Sequence, residues 1–320
     1  MINKFKNYIY SKIKLITVDR AEIDFIKHNK TLFSNLQNKN SQILIETHDM
    51  KPNYMAISHF SKVLSKIHSA QLVGYQPKIQ INLFDKFKNY IFNYKINKIY
   101  KSFGVIKFLD LNINNYKALA NQLTDKLMLD INSKSDLISL VVDDIWVGDL
   151  IYDKYLASYK VPTVNLRSKE LRKILYEFCI LYYYWKDLFS KKNIKALVIS
   201  HACYFMGLPA RIGISFGIPA YQVNLQGVYF LSKNNMYPSS EFHSYKNDFE
   251  KLDNQTKDNG IIKARERLKL IFEGSTNVDQ SYIKKSAYNE KKTSTRILGN
   301  KSPIKILIAA HSFYDSPNGL

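Results

Sequence analysis

The stretch IKALVISHACYFMGLPARIGISFGIPAYQVN, running from Ile194 to Asn224, decides the fold. Its opening, IKALVISH, is a short apolar run that reads as a strand buried on both faces of a parallel sheet. A helix-forming segment, YFMGLPARIGISFG, follows, and after Gly217-Ile218-Pro219 the chain returns as a second strand, PAYQVN. Gly217 can close the helix in the left-handed conformation and Pro219 prevents its continuation, so the crossover is compact and the two strands are expected to be parallel neighbours. Ligands of such sheets gather beyond the carboxyl ends of the strands, which places ligand access at His201 and Asn224.

Working outward, the same pattern recurs. ILIETH closes on His48 and ILIAAH on His311, so three of the seven histidines end an apolar run. A histidine after a strand is often a hydrogen-bonded loop residue, but the repetition points to a site as well as a fold. SQILIETHDM gives a strand and Pro52 a break; YMAISHFSKVLSKIHS then sets Met55, Ile57, Phe60, Val63, Leu64 and Ile67 near helical spacing, and AQLVGYQ opens another strand at Leu72. GVIKFLDL, over 104–111, reads as a further strand, and residues 84–100 as an amphipathic helix. From Ser168 to Lys192 a long helix carries Leu171, Ile174, Leu175, Phe178, Leu181, Tyr182 and Trp185. The class is α/β, a Rossmann-like parallel sheet flanked by helices. The expected organisation is a basic helical arm over 1–40, a Rossmann-like domain over 41–300 and, from 301 to 320, the first strand of a second, incomplete domain. That last strand has no sequence partner after it, which reads as a truncation.

The chain has 320 residues, 46% hydrophobic and 23% charged, a globular composition long enough for a sizeable core. Cys179 and Cys203 offer neither a disulfide framework nor metal-ligand spacing, which fits a reducing compartment. No apolar run reaches the roughly 18 residues of a membrane span, and no signal-peptide core follows the basic N-terminus. The expected location is cytoplasmic, with a peripheral place at the inner face of the membrane left open. The net charge of +20 would suit nucleic acid, an anionic membrane surface or phosphorylated substrates. Its lysines are dispersed and no nucleic-acid-binding motif accompanies them, which argues against nucleic acid.

Candidate site residues follow from this layout. His201 is the choice for general base, because its ordinary pKa lies near neutrality and a loop at a strand end can aim the imidazole into a cleft. No serine or cysteine nucleophile is assigned: a G-x-S-x-G elbow is not expected, and Cys203 has no evident activator. Val147 to Leu156, VGDLIYDKYL, packs Asp149, Tyr152 and Asp153 after a glycine; Asp149 and Asp153 share a face if a helix starts here. They read either as acceptors and a ring face for a hydroxyl-rich ligand or as a capping Asp and a core tyrosine. Arg211 could pair with a phosphate or carboxylate, or form a structural ion pair. Glu46, His48 and Asp49 cluster at the first strand end, as ligand groups or as loop caps. The adjacent Asp143-Asp144 does not make an alternating metal motif, and G-x-G-x-x-G, P-loop, H-E-x-x-H and C-x-x-C patterns are absent, so neither a metal nor a tightly bound cofactor is expected.

GDLIYDKYL, YYYWKDLF, ALVISHACYFMGLPARIGISFGIPAYQVN and ILIAAHSFYDSP together resemble bacterial capsule and lipopolysaccharide biosynthesis proteins, which are similar to two-domain GT-B glycosyltransferases. The likeness spans about residues 145–225 and 305–317. It implies that this chain is the acceptor-side half of such an architecture, with a nucleotide sugar as co-substrate and a glycan or lipid-linked glycan as acceptor. It also implies that Tyr204, Asn224, His311 and Asp315 join the residues above at the substrate. Two other functions share the resemblance: a non-catalytic glycan- or partner-binding subunit, and a phospho-polyol transferase acting on the same polymers.

Overall fold

A computed structural model describes residues 17–33, 40–76, 83–111, 113–240 and 245–275, with positions 286, 288, 314, 315 and 317. The chain divides into two compact units, Met1–Ser240 with His311–Leu320, and Glu241–Ala310. The expected strand after residue 301, with His311, lies outside the described residues, as does most of the Lys/Ser/Thr/Asn tract before it.

Among the described residues the first unit holds eight strands, β1 (Gln42–Glu46), β2 (Gln71–Tyr75), β3 (Val105–Phe108), β4 (Val141–Val142), β5 (Ile145–Trp146), β6 (Ile194–Ile199), β7 (Ala220–Val223) and β8 (Val228–Leu231). Six of them form one sheet in the order β3-β2-β1-β6-β7-β8, parallel throughout except for β8, which runs antiparallel to β7. The fold is therefore α/β and Rossmann-like, with a mostly parallel sheet between helical layers. β4 and β5 make a separate hairpin whose two turn residues, Asp143 and Asp144, both have positive φ, at 48° and 62°. A two-residue hairpin loop demands that backbone, and Asp tolerates it, which accounts for the adjacent carboxylates without any metal.

One sheet face is covered by α1 (Arg20–Leu32), α2 (Lys51–Ile67) and α3 (Leu83–Ser102). The other carries α4 (Lys117–Asp130), α5 (Lys134–Ile138), α6 (Gly148–Tyr159), α7 (Lys169–Lys191) and α8 (Leu208–Ser215). Alternation along β1 sends Ile43 and Ile45 into the first layer, beside Tyr54, Ile57, Ile99 and Phe103, while Leu44 enters the second beside Val73, Leu197, Ile199 and Trp185. Burial on both faces is why Ile43–Ile45 of β1 and Ala196–Ile199 of β6 contain no interrupting polar residue. In α7 the Ser168 hydroxyl accepts the Leu171 amide at 3.1 Å, a cap that sets the helix start, and fully buried Trp185 meets Tyr75 edge-on at 4.9 Å.

Two expectations for α2 need correction. Pro52 is not a break but sits in the helix's first turn, where its missing N–H has no helical partner to lose. The buried face is Asn53, Tyr54, Ile57, Ser58, Ser61 and Leu64, whereas Met55, Val63 and Ile67 are exposed, Ile67 at 68%. Small serines let the helix backbone approach the sheet closely, and that outweighs the apolar count of the alternative face. The expected helix from Tyr204 is also shorter: a 3-10 turn over Tyr204–Met206 precedes α8. Gly217, at φ +72°, ends α8 as its sequence implies.

The second unit contains α9 (Tyr245–Glu250) and α10 (Asn254–Phe272). Asp253 caps α10 by accepting the Thr256 amide at 2.8 Å. No helix among the described residues is long and apolar enough to cross a membrane.

Candidate functional site

From β1 the chain steps to β2 and β3 on one side of the sheet; from β6 it steps to β7 and β8 on the other. The connections part between β1 and β6, and a crevice opens beyond the carboxyl ends of those two strands. Glu46 is the last residue of β1, and Ser200 and His201 follow β6 directly. His48 and His201 stack there, ring centroids 5.6 Å apart and planes at 29°. The end of β7 shares that edge, and with it Asn224, through the parallel pairing of β6 and β7.

The turn after β1 is held firmly. The Thr47 amide and hydroxyl both donate to the Tyr75 carbonyl, at 2.9 and 3.1 Å. The His48 amide donates to the Tyr100 hydroxyl at 2.9 Å, which in turn donates to the Glu46 carbonyl at 3.3 Å. The Met50 amide donates to His48 Nδ1 at 3.0 Å. A backbone N–H can only donate, so that nitrogen carries the lone pair, and neutral His48 has its proton on Nε2. Asp49 Oδ1 stands 3.6 Å from the same Nδ1, but with the lone pair engaged by Met50 this contact is not an ion pair of a charged imidazole.

Across the crevice, the Ser200 amide donates to Glu46 Oε2 at 2.7 Å, and Ser200 Oγ lies 2.8 Å from His201 Nδ1. Burial pushes the Glu46 carboxyl up to about 7, partly opposed by the Ser200 amide and hydroxyl and by the His201 amide. Burial, and then the neighbouring His48, hold His201 below the usual histidine value, so the imidazole is neutral at physiological pH. Tyr75, also fully buried and within the field of Glu46, keeps its hydroxyl proton; no described residue bonds that hydroxyl.

The other sequence candidates fall elsewhere. Asp149 and Arg211 are corrected from ligand contacts to a buried structural pair, their side chains 0% and 1% exposed. Arg211 Nη1 donates to Asp149 Oδ1 at 2.6 Å and to the Trp146 carbonyl at 2.7 Å, while Nη2 donates to Asp149 Oδ2 at 2.5 Å and to the Tyr237 hydroxyl at 2.9 Å. Tyr237 donates in turn to Asp149 Oδ2 at 2.5 Å, and the guanidinium lies over the Trp146 ring. This fork spends the guanidinium and the carboxylate on each other, so no diphosphate or sugar hydroxyl can compete for them. Asp149 and Asp153 do share one face of α6, but that face is buried. Tyr152 is a core residue with the Lys134 ammonium over its ring, so neither it nor the carboxylates present an open acceptor surface.

Asn224 caps the β7–β8 hairpin, its Oδ1 accepting the Gln226 and Gly227 amides at 2.9 and 3.1 Å. Tyr204, in the left-handed region at φ 51°, donates its hydroxyl to exposed Asp315 at 2.7 Å, so these two candidates meet each other. Gly207 permits the tight loop between them and α8, since a Cβ there would come within 2.1 Å of the Ala202 carbonyl. Gly213-Ile214-Ser215-Phe216-Gly217 spells G-x-S-x-G, which corrects the expectation that the chain lacks this motif. It lies at the end of α8 with Ser215 donating to the Ile212 carbonyl at 2.7 Å, not on the strand-to-helix elbow a serine nucleophile needs.

Ser200, Tyr75 and Tyr100 belong to the site but were not read from the sequence. Ser200 had a signal, its position between a strand and His201; the tyrosines arrive from β2 and α3 through tertiary pairing alone. No group of three or more His, Cys, Asp or Glu among the described residues could hold a metal ion. Comparison with protein-family models, with curated proteins and with solved structures finds no match.

Proposed function

We propose that the chain acts in glycosyl transfer during assembly of a bacterial surface polysaccharide, moving a sugar from a nucleotide sugar to a glycan acceptor. The supporting observation is the stacked His48–His201 pair at the sheet's switch point, backed by buried Glu46. A neutral imidazole at that edge is the group needed to take a proton from an attacking sugar hydroxyl. His201 removes the proton as the hydroxyl attacks the anomeric carbon, and the nucleoside diphosphate leaves. The N-termini of α2 and α8 follow the same strand ends and favour negative charge, the role the sequence reading had given to Arg211.

The experiment is release of nucleoside diphosphate from a panel of uridine, guanosine and cytidine nucleotide sugars, with and without capsule oligosaccharide acceptors. Acceptor-dependent release by the wild-type chain supports the reading. Binding of oligosaccharide with no consumption of any nucleotide sugar would instead favour a non-catalytic glycan-binding subunit.

A further inference from the structure

We propose that Glu46 and Ser200 are positioning residues that set the tautomer of His201: the ionised carboxylate accepts a hydrogen bond from the Ser200 hydroxyl, the serine oxygen accepts from His201 Nδ1–H, and Nε2 is left as the proton acceptor. This rests on His201 being the base, but it concerns a state of the free protein.

The geometry confines the alternatives. Ser200 Oγ carries one proton and lies 2.8 Å from His201 Nδ1, so the bond runs in one of two directions. If the hydroxyl donates to Nδ1, the imidazole proton sits on Nε2 and the nitrogen cannot serve as a base. If the hydroxyl donates elsewhere, Nδ1 carries the proton. The elsewhere is Glu46: its Oε2 is already 2.7 Å from the Ser200 amide, and the serine hydroxyl is close enough to that carboxyl to lower its pKa. Glu46 is only 1% exposed, so the serine is one of the few donors it has. Among the described residues no hydrogen bond engages His201 Nε2.

The carboxylate's charge therefore selects the direction. When Glu46 is protonated it no longer needs the serine proton and can donate to the serine oxygen instead. The hydroxyl then turns to Nδ1 and the imidazole proton moves to Nε2, with no net gain or loss in His201. Because burial raises Glu46 to about 7, this reversal falls near neutral pH. The titratable groups bearing on the relay are Tyr75 from β2, Tyr100 from α3, and His48 and Asp49 from the turn after β1. The tyrosines stay neutral across that range, since burial raises both. His48 supplies a built-in reference: its Nδ1 is fixed as an acceptor by the Met50 amide, so its Nε2–H tautomer is independent of Glu46.

The test is long-range proton–nitrogen correlation NMR on the full chain with nitrogen-15 histidine, from pH 5.5 to 9. The expected result is Nδ1–H for His201 above about pH 7, converting toward Nε2–H below it, while the neutral His48 ring is Nε2–H throughout. E46Q should abolish the pH-dependent step, and S200A should give the Nε2–H form at every pH where the ring is neutral; an unchanged His48 signal verifies that each variant is folded. S200A removes only a hydroxyl, so it decides the matter even if E46Q fails to fold. A wild-type His201 that is Nε2–H throughout, or an S200A protein with the wild-type tautomer and pH dependence, would overturn the relay. No substrate is present, so absence of glycosyl transfer would remove the transferase reading while leaving the relay standing.

Discussion

His48 and His201 stack at 5.6 Å although 152 residues, with several strands and helices, lie between them in the chain, because β1 and β6 are neighbours in the sheet. Two imidazoles this close resist carrying charge together, and His48 contributes to the depressed pKa of its partner. His48→Gln should therefore move the His201 midpoint upward in a histidine NMR titration. The movement should be partial, since burial is the larger cause and remains. A midpoint that falls or stays fixed would mean that the rings do not interact electrostatically.

Glu46 should weigh on stability in a pH-dependent way. Its folded pKa is raised, so protonation favours the folded state: the associated stability is complete below the unfolded value of 4.5 and is lost as pH rises through about 7. A displacement from 4.5 to about 7, at 1.36 kcal/mol per unit, amounts to roughly 3 kcal/mol. Glu46→Gln should accordingly gain on wild type as pH rises from 5 to 8 in urea denaturation. A constant difference across that range would show that Glu46 is not a buried, titrating acid.

The fork between Asp149 and Arg211 should behave as structure. Removing one partner of a buried pair leaves a charge uncompensated, so Asp149→Asn should cost on the order of 3–5 kcal/mol. Tyr237→Phe, which removes a hydroxyl bonded to both, should cost on the order of 1 kcal/mol. Thermal denaturation checks both; a fully stable Asp149→Asn protein with weakened glycan binding would restore the ligand-contact role.

How much of this was legible differs by element. β1 and β6 could be read because Ile43–Ile45 and Ala196–Ile199 are apolar runs buried on both faces, and β7 because its crossover from β6 is punctuated by Gly217 and Pro219. The pairing of β6 with β7 followed, but that β1 lies beside β6, and so that His48 meets His201, was not legible. β8 was missed because it lies at the sheet edge, with Val228 and Phe230 exposed, and so lacks that run. The α2 face was misjudged because Ser58 and Ser61 are selected for close approach rather than hydrophobicity. Asp149 and Asp153 were correctly placed on one helix face, but nothing local to Gly148–Tyr159 indicates that Arg211, 62 residues on, fills the space in front of Asp149. Spacing within an element tells which side chains travel together; it does not tell what they meet.

The most direct test of the account is turnover by His201→Gln against wild type, following nucleoside diphosphate release with the nucleotide sugar and acceptor that the wild-type chain consumes. The glutamine keeps a hydrogen-bonding side chain but cannot take a proton at neutral pH. The account predicts a fall in turnover of roughly 10²–10⁴-fold with acceptor affinity little changed, because proton removal matters in the transition state and not in the ground state. A His201→Gln protein that keeps most of the wild-type turnover would contradict it.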